Sequence, residues 1–408
     1  MNRQMLFVSF AFASLAASAV PVVTLVTARQ ESVNGIVTVG YHVSEDAVVT
    51  FDVQTNGVSI GLDKVRRVWG DVNRRIAAGD RELKWNPQAD WSDAIDVSAC
   101  TFAVKAWSLA HPPDYLAINL DAPNDLLFYA GIDALPYHPT NVMMKSKWLL
   151  MRKIPAAGVR WRMGSPDGES GRTDDNERPH YVTLDHDYYM GVHKLTCAQY
   201  GRFCELPYSL DVLNIETHRL CPARYMGVEA LRGVTEKYDW PDDGHDVDEN
   251  LFLGLLRKQS GVDTLDLPTD AEWEYACRAG TAGPHYNNKD DSHLPEIAWF
   301  DHKTDVQEVG LLEPNAWGLY DMIGNGFELC LDWFSSGDDF CREGDEVSEP
   351  KGPKTGTARV FRGCSWQHAG GYPRSASRDK QAPQSPYSTL TARVCCRADF
   401  LTTSSKED

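Results

Sequence analysis

The sequence predicts an α+β protein with low regular secondary structure, preceded by a small all-β unit. Three observations carry this. Residues 20–125 hold short runs in which apolar and polar residues alternate. Further on come two short segments that open with helix capping boxes. Around them lie long Gly-, Trp- and Asp-rich stretches with no clear period.

Met1–Ala19 reads as a signal peptide. Arg3 supplies a positive start, Met5 to Ala17 is almost wholly apolar, and Ala17-Ser18-Ala19 is a small-residue cleavage pattern. The apolar run is too short to span a bilayer comfortably, and no other long apolar stretch follows. The expectation is a secreted or periplasmic protein with no membrane insertion. The 408 residues allow two domains. Forty Lys and Arg stand against 58 Asp and Glu, a net charge of −18, which excludes a generic nucleic-acid-binding role because phosphate contacts need a basic face. Ten cysteines in an exported chain permit disulfides, with Cys197 and Cys204, Cys330 and Cys341, and adjacent Cys395 and Cys396 as candidates.

In residues 20–125, Val37, Val39, Tyr41 and Val43 alternate with polar or small residues, as do Val49, Phe51 and Val53, and later Phe102, Val104 and Ala106. Period two, broken at Asn56-Gly57 and Pro112-Pro113, predicts half-buried antiparallel strands in a β-sandwich-like domain. Lys64 to Ala78 fits a short helix or a strand pair. Residues 122–150 read as a connection. The second domain, 126–408, follows, with a strand at Trp161–Ser165, an exposed loop at Pro166–Arg178 and a strand at Tyr181–Gly191. Thr196 with Gln199, and Thr269 with Glu272, are capping boxes that start helices. A third helix runs from Leu251 to Lys258 and ends near Gly261; Gly280 stops the one that Thr269 opens. The acidic run Asp239–Asn250 lacks EF-hand spacing and reads as a solvated loop.

The stretch Gly318-Leu-Tyr-Asp-Met-Ile-Gly-Asn-Gly-Phe-Glu328 reads as a tight, irregular loop. Gly318, Gly324 and Gly326 permit turns that other residues resist, and Asn325 and Glu328 bring hard oxygen ligands close together, as a calcium site needs. Here the sequence resembles the formylglycine-generating enzyme (sulfatase-modifying factor) family. Supporting matches are Ile154-Pro155-Ala156, Met163-Gly164-Ser165, Leu267–Tyr275 and Arg362-Gly363, in the family's order, over about residues 145–400. The resemblance implies a variant of the C-type lectin fold and a structural calcium ion at Gly324, Asn325 and Glu328.

It also implies copper chemistry. In the family, two cysteines bind copper(I) and activate dioxygen to oxidise a sulfatase cysteine; soft thiolates suit the soft ion. In this chain the two matching positions are His368 and Pro373, and proline has no metal-binding group. Cys364, Ser365 and His368 are the candidate catalytic residues that remain, because Cys364 and His368 would share a face if the segment were helical. The expected function is therefore an exported relative without the oxidase activity, binding a peptide, glycan or partner protein in the family cleft. The alternative is a copper-dependent oxidase that converts a sulfatase cysteine to formylglycine.

Overall fold

The computed structural model describes residues 20–402, apart from 32–34, 91–98, 174, 207–217, 243, 302–304, 338–340 and 369–372. The signal peptide expected at 1–19 lies outside the described residues.

Alternation governs residues 23–107. Val37–Val43 buries every second side chain, and pairs in antiparallel register with Gly79–Trp85 so that Val39 faces Leu83. The order of this sheet is Val23–Gln30, Val37–Val43, Gly79–Trp85, Val68–Gly70. A second sheet centres on Ala47–Thr55, which pairs with Val58–Ser59, Arg75–Ile76 and Cys100–Trp107. The Asn56-Gly57 hairpin is tight: both residues have positive φ, 51° and 75°, as a two-residue turn between strands demands. Residues of both sheets share one core, in which Phe51 stacks on Phe102 at 6.2 Å and tilts against Trp85 at 6.4 Å. Lys64 to Ala78 holds no α-helix; it carries the short strands Val68–Gly70 and Arg75–Ile76.

The rest of the chain is built on a five-stranded sheet. Its order is Leu126–Tyr129, Tyr115–Asn119, Trp148–Ile154, Tyr188–Gly191, Cys395–Arg397. A division at residue 125 would therefore cut a β-hairpin. Tyr115–Asn119 is wholly buried and pairs with Trp148–Ile154 along its whole length, with Ile118 facing Leu149. Its apolar run, Tyr-Leu-Ala-Ile, has no alternation because both faces are covered. Its neighbours fasten it further: Lys153 donates to Pro112 O at 2.5 Å, and Tyr189 Oη to Pro113 O at 2.5 Å.

The strand expected over Tyr181–Gly191 is two strands. His180–Thr183 pairs with Arg160–Met163 and runs parallel to Glu346–Ser348; Tyr188–Gly191 enters the five-stranded sheet. Both capping boxes form. Thr196 Oγ1 accepts from Gln199 N, and Thr269 Oγ1 accepts from Glu272 N, with the Gln and Glu side chains returning to the cap N–H groups. Phe252–Ser260 ends at Gly261 in the left-handed conformation. Asp270–Arg278 ends one residue earlier than expected, at Ala279 with φ 45°, and it is buried on every side rather than one. The third main sheet runs Arg378–Gln381, Arg359–Arg362, Phe327–Trp333, Leu390–Thr391. None of the expected disulfides, Cys197–Cys204, Cys330–Cys341 or Cys395–Cys396, forms. No described helix is long and apolar enough to cross a membrane.

A chain starting at residue 112 keeps Tyr115–Asn119 and its fastenings; one starting at 126 loses a central strand. The first is expected to retain a cooperative thermal transition by near-UV circular dichroism, and the second to lose it.

Candidate functional site

The loop at 318–328 folds as irregularly as its glycines suggest. Gly324 has φ 86°, and a Cβ there would lie 2.6 Å from the Trp299 backbone N, so only glycine fits. Asn325 follows with φ 59°. Its side chain does not face open space. Oδ1 accepts from Gln307 N at 2.9 Å, and Nδ2 donates to Gln307 O at 3.0 Å.

Glu328 is fully buried at the start of the strand Phe327–Trp333. Lys194 Nζ lies 2.5 Å from Oε1, and Arg393 makes a two-pronged contact at 2.9 Å to each oxygen. Trp273 Nε1 donates to Oε2 at 2.8 Å. Burial alone would raise the carboxyl's pKa, but Arg393 and Lys194 outweigh it and draw it down to about 2. The calcium expectation at Gly324, Asn325 and Glu328 does not fit these contacts. Glu328 already has two cations and an indole N–H, and Asn325 is closed on Gln307. The charge partners of Glu328 lie far from the motif in the chain, at positions 194 and 393, so the motif's own spacing does not reveal them. Replacing Glu328 with Gln leaves two buried cations short of their counter-charge. Denaturant unfolding is expected to show a loss of about 3–5 kcal/mol, the usual cost of breaking a buried pair from one side.

A second buried charge cluster lies behind the helix Asp270–Arg278. Arg362 bonds Asp270 and lies 2.9 Å from Glu274; Arg378 lies 2.8 Å from Asp270, and Arg278 2.7 Å from Glu274. Asp332 makes no ion pair among the described residues. It accepts from Asp270 N at 2.7 Å, and burial, followed by the Asp270 charge, pushes its pKa up to about 7. The unfolded carboxyl titrates near 3.8. The folded state therefore holds an extra proton between those values, and stability falls as pH rises through the window. Asp332→Asn mimics the protonated form. It is expected to leave the melting temperature unchanged near pH 4 and to raise it by several degrees at pH 8.

Among the candidate catalytic residues, Cys364 is fully buried in the cluster that contains Met322, Ile323 and Cys330. Its thiol donates to Ser365 O at 3.4 Å, and burial pushes its pKa up to about 12. Ser365 Oγ and His368 Nδ1 meet at 2.6 Å. The His368 ring packs edge-on against Phe327 at 4.8 Å. The segment 364–368 is not helical, so the shared helical face expected of Cys364 and His368 does not form. The structure joins Ser365 to His368, and leaves Cys364 inside the core as a protonated thiol. Pro373 is buried beside Arg374, and both line a cavity of 280 Å³ with Glu169, His285, Asp291 and Phe300. Arg374 is held by Glu177 at 2.6 Å and Glu169 at 2.8 Å.

The sulfatase-modifying factor enzyme 1-like domain matches residues 157–398, and the chain belongs to that family. The formylglycine-generating enzyme of Streptomyces coelicolor is 34% identical over 169 residues, covering 35% of this chain and 49% of that protein. The serine/threonine-protein kinase pkn1 of Chlamydia pneumoniae is 29% identical over 251 residues, covering 61% of this chain. The chain thus spans 38% of the length of that kinase and about half that of the Streptomyces enzyme. Among solved structures, Treponema denticola variable protein 1 is 23% identical, covers 64% of this chain and 98% of its own, and has a TM-score of 0.47.

Proposed function

We propose that this chain is an exported formylglycine-generating-enzyme-like protein that has given up copper oxidase chemistry and uses the family cleft to bind a peptide, glycan or partner protein. One observation carries the reading. The positions that match the family's two copper-binding cysteines hold His368 and Pro373. Two thiolates must hold copper(I) in this chemistry, and imidazole replaces at most one of them. Cys364, the nearest thiol in sequence, is fully buried with its pKa raised to about 12, so it offers no thiolate at neutral pH. Binding needs none of this. The 280 Å³ cavity beside Pro373 and Arg374 mixes apolar walls, including Phe300 and Leu294, with the polar groups of His285 and Asp291, as recognition sites do.

The alternative, oxidation of a sulfatase cysteine to formylglycine, is tested directly. Purified protein is incubated with copper(I), dioxygen and a Cys-x-Pro-x-Arg peptide, and the peptide is read by mass spectrometry. No formylglycine is expected. Copper-dependent turnover that vanishes in Cys364→Ser would show that a relocated thiol has rebuilt the site, and the binding reading would then fall.

A further inference from the structure

On the opposite side of the helix cap at Thr269, a histidine sits among carboxylates drawn from three parts of the chain. His186 lies in the break between the strands His180–Thr183 and Tyr188–Gly191. Its Nδ1 is 2.8 Å from Asp185 Oδ1 and 3.6 Å from Glu349 Oε1. Its Nε2 is 3.1 Å from Glu272 Oε1. We propose that Asp185, His186 and Glu349 form a site for a divalent transition-metal ion of the zinc class, with Glu272 as the group that orients the imidazole.

Geometry is the first support. One ligand atom from each of Asp185, His186 and Glu349 falls within 4.8 Å of the others. Ligands about 2.0 Å from a tetrahedral zinc ion stand about 3.3 Å apart, and the two contacts at Nδ1 bracket that spacing. The second support is the far side of the ring. A metal-binding histidine commonly donates its other N–H to a carboxylate, which fixes the tautomer and turns the free lone pair toward the ion. Glu272 is placed for this, and it is rigid. Its other oxygen accepts from Thr269 N at 2.8 Å and Thr269 Oγ1 at 3.0 Å, so the helix cap and the imidazole orienter are one side chain.

Space and charge agree. A cavity of 390 Å³ is lined by His186, Glu272 and Glu349, which leaves room for a fourth ligand and a path of entry. Three carboxylates face one imidazole whose side chain is 10% exposed, and Arg397 lies 3.6 Å from Asp185. A nitrogen ligand favours zinc-class ions over calcium or magnesium, which prefer all-oxygen shells.

The test is calorimetric titration of the intact chain with zinc, calcium and magnesium chlorides. One zinc per chain is expected, with little heat from the other two. Asp185→Asn and Glu349→Gln are each expected to weaken zinc binding at least tenfold. The Asp185 side chain is 63% exposed, so its variant tests the site without disturbing the fold. Failure to take up zinc overturns the proposal. So does zinc uptake that survives both variants, which would assign it to groups elsewhere in the chain.

Discussion

Everything around the 318–328 loop depends on one buried carboxylate. Glu328 joins Lys194, Arg393 and the Trp273 indole, and so ties together four separate elements: the segment before a capped helix, the last stretch of chain, the helix Asp270–Arg278 and the strand Phe327–Trp333. Arg393 also donates to Gly191 O, Val192 O and Tyr320 O, which satisfies carbonyls the irregular backbone leaves open. A domain with so little repeating secondary structure cannot close its polar groups through ladders. It closes them through long cationic side chains whose charges are answered inside.

The same economy explains the helix Asp270–Arg278. An amphipathic helix keeps its charged face in water. Here Asp270, Glu272 and Glu274 are all buried, and each is answered: Asp270 by Arg362 and Arg378, Glu272 by the His186 imidazole, and Glu274 by Arg362 and by Arg278 of the same helix. The motif Leu267–Tyr275 is thus a row of buried acids rather than a solvent-facing one.

What the sequence revealed follows from the range of the forces involved. Local signals were legible. Alternation placed Val37–Val43, the Asn56-Gly57 turn placed a hairpin, and two capping boxes placed two helix starts, because each depends on residues a few positions apart. The family resemblance located the irregular region over nearly the span that the domain comparison matches. Long-range facts were not legible. Tyr115–Asn119 has no alternation to mark its faces, so its place in the middle of a sheet depends on partners at 126–129 and 148–152. Glu328 looked like an ion ligand because Lys194 and Arg393 are 134 and 65 residues away. The His186 cluster was invisible for the same reason, since Glu272 is 86 residues from the histidine it orients.

The placement of the last strand sets the order in which the molecule can be completed. Cys395–Arg397 closes the edge of a sheet whose other strands lie between residues 115 and 191, and Arg393 arrives with it. During synthesis Glu328 emerges without its guanidinium partner, and Tyr188–Gly191 waits with one edge unpaired. Contacts of such long sequence separation form late and slowly. For that interval the thiols of Cys395 and Cys396, silent in the finished core, are open to the solvent of whatever compartment holds the nascent chain.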